Sequence, residues 1–258
     1  MRARMLRSLL LVPALLLMAF VVFIPAIQAV ILAFTGDAGL ITANVRAVLT
    51  DPVLGGALRN TIVFLVLLLP VQGLVALALA LAIGTRIRAG GLILSLIVLP
   101  LAVSDLAAGL LWLAVFTDRG YLNSALQSAG LIAQPISWLG FDSYGGVVAA
   151  IVVAETWRTT GVVLLPMLGP AASWREVLSR FRSRLPMALA LRTILALQTF
   201  AVVFALAGRN FPVLSGEAYA QLAANRDEHL AAGYVVVIVA IATLAGAAYL
   251  RLATARER

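Results

Sequence analysis

Long apolar runs dominate this chain: Ser8–Phe34, Ala57–Gly84, Leu92–Phe116, Val147–Leu168, Met187–Leu206 and Gly233–Leu250. About 20 helical residues cross the hydrocarbon core of a bilayer. Backbone placed in hydrocarbon must satisfy its polar groups internally, which only helices and closed barrels do. The sequence therefore predicts an all-α polytopic membrane protein with six transmembrane helices, in one transmembrane domain covering residues 1–258. The first run, 27 residues, is longer than the apolar region of a signal peptide, about 7–15 residues, and reads as a retained span.

Composition narrows the chemistry. Hydrophobic residues make up 63% and charged residues 12% of the 258, with a mean hydropathy of +1.06, far from a water-soluble domain. The net charge of +8 lies at helix flanks with no aromatic-interleaved basic face, which argues against nucleic acid as a partner. The absence of cysteine excludes thiolate metal sites and cysteine nucleophiles. A lone His229 predicts no zinc site. The absence of lysine removes the phosphate-cradling P-loop lysine, so any ATP and Mg²⁺ are expected on partner subunits and no cofactor on this chain. Six spans put both termini on one side. That side holds 12 arginines, including Arg2, Arg86, Arg175 and Arg256, against five on the other face, such as Arg46 and Arg119. The positive-inside bias therefore predicts cytoplasmic termini.

Between the fourth and fifth runs, Gly169–Pro186 writes a short amphipathic helix. Ser173 and Glu176 form a capping box. Trp174, Val177, Leu178 and Phe181 fall on one stripe, with Arg175, Arg180, Arg182 and Arg184 on the other sides, and Pro186 is expected to stop the helix. Two readings stand at this point: a helix lying in lipid headgroups, apolar side down, or a knob presenting Trp174 and Phe181 to a partner's groove.

Four ionisable residues sit inside predicted spans: Asp105, Glu155, Arg158 and Arg192. Each costs roughly 2.5–3.5 kcal/mol at a helix centre and needs a partner in the protein interior. Glu155 and Arg158 are three apart and can pair on one helix, and Asp105 with Arg192 can clamp the third span to the fifth. A sugar path needs hydrogen-bonding groups and an aromatic face in a mostly apolar cavity. Trp112, Trp157, Thr160, Gln198 and Thr199 are the candidates. Pro100 marks a possible kink in the third span.

An ordered series of residues runs through these segments from about Leu10 to Leu252. It comprises Asp51-Pro52, Asn60-Thr61, Arg88, Gly90, Pro100, Ser104, Trp112, Gly120, Asn123, Trp138-Leu139 and Trp157, then Arg192-Thr193-Ile194, Phe200 and Gly208. In this series the chain resembles the inner-membrane permease subunits of binding-protein-dependent ABC sugar importers, closest to the MalF-like type. The resemblance implies a type I ABC importer permease fold in the bacterial plasma (inner) membrane and a transport role without a catalytic site. It also implies a second permease subunit, two ATP-binding subunits, an extracytoplasmic sugar-binding protein and membrane lipid as partners. In that family a Glu-Ala-Ala motif followed by a glycine builds the helix that docks on the ATPase. Gly169, Ala171, Ala172 and Trp174 resemble its remnant, without the glutamate and in a shortened loop, and the helix Trp174, Arg175, Val177, Leu178, Phe181 is expected to take its place. The alternatives are a proton-coupled secondary transporter using Asp105 and Glu155, and a degenerate, non-transporting subunit.

Overall fold

The computed structural model describes residues 11–13, 15–36, 39–40, 43–84, 87–169 and 173–255. Among them the regular secondary structure is helical apart from a two-residue antiparallel ladder, β1 (Thr35–Gly36) with β2 (Gly39–Leu40). The helices are α1 (Ile24–Phe34, entered through a π turn at Ala19–Phe23), α2 (Ala43–Thr50), α3 (Pro52–Gly84), α4 (Ile87–Val98), α5 (Asp105–Phe116) and α6 (Tyr121–Ser128). They continue with α7 (Tyr144–Leu164), α8 (Trp174–Leu197), α9 (Ala201–Ala207), α10 (Leu214–Ala223) and α11 (Glu228–Ala255). Four helical segments are long and apolar enough to cross a membrane: Leu11–Phe34, Pro52–Ile83, Tyr144–Met167 and Glu228–Tyr249. Two bent pairs, Gly91–Ala102 with Asp105–Ser128 and Trp174–Leu197 with Ala201–Asn210, raise the count to six if each is one span.

The chain divides into two compact units. The smaller comprises described residues up to Leu54 together with Glu217–Val239. Its core is polar at one decisive point. The Tyr234 hydroxyl, fully buried, donates to Asp51 Oδ2 at 2.7 Å, while Asp51 Oδ1 accepts from the Val53 amide at the start of α3. One carboxylate thus satisfies an orphan donor of a helix N-terminus and a buried phenol. Asn44 Nδ2 donates to the carbonyls of Thr35 and Leu32, and His229 Nδ1 lies 3.0 Å from the Leu32 carbonyl.

The larger unit comprises the described residues of Gly55–Gly216 and those from Ala240 onward. Its centre is α7, where small and β-branched residues are buried around most of the helix. Ala76, Ala80 and Ile83 of α3, Val163 and Leu164 of α7 with Met167 just beyond it, and Val177, Phe181 and Ala188 of α8 make one apolar core. Helix α9 packs along α5 at very short range. A Cβ on Gly109 would lie 2.6 Å from Ala205 Cβ and 3.0 Å from Val202 Cα, so only glycine permits that approach.

Two expectations about helix boundaries are corrected. The third run, Leu92–Phe116, is not one continuous helix: α4 runs into a 3-10 turn at Leu99–Ala102, the chain extends at Val103 and Ser104, and α5 departs at 102°, a sharper break than the kink expected at Pro100. Pro100 accounts for the turn, since it lacks an amide proton and crowds the preceding carbonyls, and Ser104 caps the new helix by accepting from the Ala107 amide. Conversely, Pro186 does not stop the loop helix. It is buried inside α8, which is continuous from Trp174 to Leu197 and joins the loop helix to the fifth span. Proline is helical in φ and removes one hydrogen bond, a loss that packing on both sides absorbs in membrane helices. The bend comes later, 58° between α8 and α9, at Gln198–Phe200.

The segment following α5 is organised by one side chain. Asn123, buried, donates through Nδ2 to the carbonyls of Asp118 and Ile136, and its Oδ1 accepts from the Ile136 amide and from Trp138 Nε1. The close approach of α5 and α9 gives a direct test. Gly109→Ala is expected to cost about 1–3 kcal/mol by overpacking and to lower the thermal midpoint of the detergent-purified chain. Gly55→Ala, with nothing within 4 Å of the added Cβ, is expected to leave that midpoint in place.

Candidate functional site

The four ionisable residues of the predicted spans converge in the larger unit. Arg192 of α8 pairs with Glu155 of α7, Nη2 to Oε2 at 2.6 Å, with both side chains essentially fully buried. Arg158, one turn along α7, places Nε and Nη2 at 3.0 and 2.9 Å from Glu155 Oε1. Its Nη2 also pairs with Asp105 Oδ1, at the N-terminus of α5, at 2.5 Å. The Glu155–Arg158 pair is thus as the spacing predicts. The expected Asp105–Arg192 clamp is corrected: Arg192 takes Glu155, and Asp105 takes Arg158. The reason is the break before α5, which makes Asp105 the first residue of a new helix directed at α7 rather than a mid-span residue.

Gln72 of α3 completes the network and escaped the sequence reading. It is fully buried. Its Oε1 accepts from Arg192 Nε at 2.9 Å, and its Nε2 donates to Thr159 Oγ1 and to the Glu155 carbonyl. The signal was available, because a glutamine deep in an apolar span is hydrogen-bonding glue between helices, but nothing in the sequence named its partner. Two guanidinium and two carboxylate groups balance, and the network ties α3, α5, α7 and α8 together. Exposure is graded along it: the Glu155–Arg192 end is sealed, while Arg158 and Asp105 keep 17% and 29% of their side-chain surface accessible.

The five path candidates separate. Trp112 and Trp157 come together, edge to face with centroids 6.0 Å apart, and Trp112 also stacks on Phe116 at 5.5 Å. Trp157 is exposed and directly precedes Arg158. Thr160 is buried and its hydroxyl donates to the Thr156 carbonyl. Thr199 is buried, with its carbonyl accepting from Ser215 Oγ. Gln198 is exposed at the bend between α8 and α9. An aromatic surface beside a partly accessible ion pair is what the structure assembles from the set.

At the start of α8, Ser173 Oγ accepts from the Glu176 amide, so the N-cap forms as the sequence predicts. Trp174 is 57% exposed, with the Arg175 guanidinium 5.5 Å from its ring. Val177 and Phe181 are buried in the core with α3 and α7, and Leu178 is half-buried. The expectation that Phe181 is presented outward, to lipid or to a partner, is therefore corrected: Val177 and Phe181 face the chain's own core, and Trp174 alone of the stripe is exposed. Two of the arginines close the end of α7. Arg180 Nη1 donates to the Gly169 carbonyl and Arg184 Nη1 to the Pro166 carbonyl, fastening the 3-10 turn Leu165–Met167 and the residues after it. Ala171 and Ala172 lie outside the described residues.

With the geometry established, known structures and sequences bear on it. A chain of a bacterial alginate ABC transporter, solved with an alginate pentasaccharide-bound periplasmic protein, superposes with a TM-score of 0.74 over 98% of this chain and 96% of that one, at 17% identity. A second structure of a bacterial ABC transporter that imports alginate gives a TM-score of 0.70. The fold is that of an ABC-transporter permease. Sequence relatives include permease proteins of named transport systems. The lactose transport system permease protein LacF of Rhizobium radiobacter is 32% identical over 155 residues, 58% of this chain and 51% of that protein. The trehalose/maltose transport system permease protein MalF of Thermococcus litoralis is 27% identical over 169 residues, 57% and 56%. The match thus spans about half the length of these two relatives. The osmoprotective compounds uptake permease protein GgtC of Synechocystis is 25% identical over 230 residues, 77% of this chain and 80% of that protein. No protein-family model matches the chain.

The network predicts an unequal response to mutation. Glu155→Gln strands the buried Arg192 and is expected to cost about 3–5 kcal/mol. Gln72→Leu leaves the ion pairs and is expected to cost about 1–3 kcal/mol through unpaired donors and acceptors. Denaturation of the purified chain in mixed micelles checks the order.

Proposed function

We propose that this chain is a permease subunit of an ATP-driven ABC importer for a di- or oligosaccharide, resident in a bacterial plasma membrane. It forms half of the translocation path together with a second permease subunit. ATP and Mg²⁺ are bound by two ATP-binding subunits, and an extracytoplasmic sugar-binding protein delivers the substrate. The observation that carries the reading is the partly accessible Asp105–Arg158 pair beside the exposed Trp157. Ionised groups on spans face a protein interior or a water-filled cavity rather than lipid, so this face borders an aqueous path that the chain alone leaves open. The similarity to lactose and trehalose/maltose permeases supports a sugar as cargo. The balance of two arginines against two carboxylates favours an uncharged one. The positive-inside bias puts the termini and the start of α8 in the cytoplasm. There Trp174, stacked by Arg175, is the exposed anchor for an ATP-binding subunit, while the buried Val177 and Phe181 hold that anchor to the spans.

Proton-coupled transport fits less well, because both carboxylates that would carry the proton are held by arginines.

Affinity purification of the tagged chain from native membranes in mild detergent is expected to recover an ATP-binding subunit and a second permease. Recovery of the chain alone overturns the reading. Trp174→Ala is expected to reduce the recovered ATP-binding subunit by about tenfold or more, as truncation of an aromatic anchor does, without changing the melting of the chain. Phe181→Ala is expected to destabilise the chain itself by about 3–5 kcal/mol, so the two substitutions separate docking from folding.

A further inference from the structure

The two helix breaks flank the same pair of helices. The break at Val103–Ser104 lies immediately before α5, and the bend at Gln198–Phe200 lies immediately before α9. Between themselves α5 and α9 are locked at backbone range through Gly109, Val202 and Ala205. The near sides of both breaks are fastened to other elements. Leu101 lies so close over Gly161 of α7 that an added Cβ would come within 2.8 Å of it, and Ser215 Oγ holds the Thr199 carbonyl at 2.8 Å. Helices α3, α7 and α8 are held to one another twice over, by the apolar core around Phe181 and by the sealed Glu155–Arg192–Gln72 cluster.

The charged link from α5 to that block is different in kind. It is the accessible end of the network, Asp105 to Arg158, next to the edge-to-face contact of Trp112 with Trp157. Arg158 keeps Glu155 as a partner when Asp105 leaves, and Asp105, at the half-exposed helix start, can be taken up by water. Opening this link therefore strands no buried charge, whereas opening Glu155–Arg192 would.

We infer that α5 and α9, which both pack on α7, form one movable element, hinged at 103–104 and 198–200, whose charged latch to the α3–α7–α8 block is the Asp105–Arg158 ion pair. The inference goes beyond the transport reading and does not need it, since hinge and latch are properties of this chain. In a transporter the element would gate the aromatic, half-exposed face between α5 and α7, because rigid elements moving about short hinges are how such proteins switch states.

The chain contains no cysteine, so introduced pairs can be spin-labelled without background and their distance distributions measured in the full chain reconstituted in lipid nanodiscs. Leu110→Cys on α5 with Val153→Cys on α7 reports the latch, and Val66→Cys on α3 with Val153→Cys reports the block; all three positions are exposed. Asp105→Asn is expected to shift or split the α5–α7 distribution by more than its parental width and to leave the α3–α7 distribution unchanged, and Asp105→Glu to restore the parental α5–α7 distribution. An α5–α7 distribution unmoved by Asp105→Asn overturns the latch. A change in both distributions also overturns it, showing that the pair braces the whole unit. Neither result depends on whether partner subunits are recovered from native membranes.

Discussion

Burying Arg192 in an apolar helix bundle is the constraint around which the larger unit is arranged. A guanidinium there requires a full set of acceptors, and no single helix supplies them. Glu155 comes from α7 and Gln72 from α3, each at hydrogen-bond distance and each shielded from water. Satisfying one cation thereby sets the rotation of three helices about their axes. Once those rotations are set, Ala76, Val163, Val177 and Phe181 meet in a common apolar core. The network is expensive to break and specific in what it permits, which suits a scaffold that must keep its register while neighbouring elements move.

Helix α8 connects this scaffold to the loop that precedes it. Trp174 and Arg192 are 18 residues apart on one uninterrupted helix, a separation of about 27 Å at the α-helical rise. Because Val177 and Phe181 are packed into the block and Arg180 and Arg184 grip the end of α7, a force applied at Trp174 is carried by rigid contacts rather than by a flexible hinge.

Proline shows where local reasoning holds and where it fails. Pro70 and Pro186 lie inside continuous helices, while Pro100 sits in the turn that breaks the third span. The residue has the same chemistry at all three positions, so composition does not separate them. What differs is the support around them. Past Pro100 the chain finds a serine cap at Ser104 and a carboxylate at Asp105 ready to start a helix in a new direction, whereas no such capping pair follows Pro70 or Pro186. The Ser104 cap was legible in principle as a serine preceding an acidic residue in an apolar run, but its weight against a continuous hydrophobic pattern was not.

Hydropathy determined by itself that the chain is a helical membrane protein, where its apolar segments lie, and that charged residues within them need partners. Local pattern also determined the Ser173 cap and the Glu155–Arg158 pair, because both depend on spacing within a single helix. Which side of α8 faces inward, which arginine takes which carboxylate, and that Gln72 joins them were decided only by the tertiary structure. Those outcomes depend on how helices distant in sequence are rotated against one another, and that rotation is set by the packing of the whole bundle rather than by any one segment.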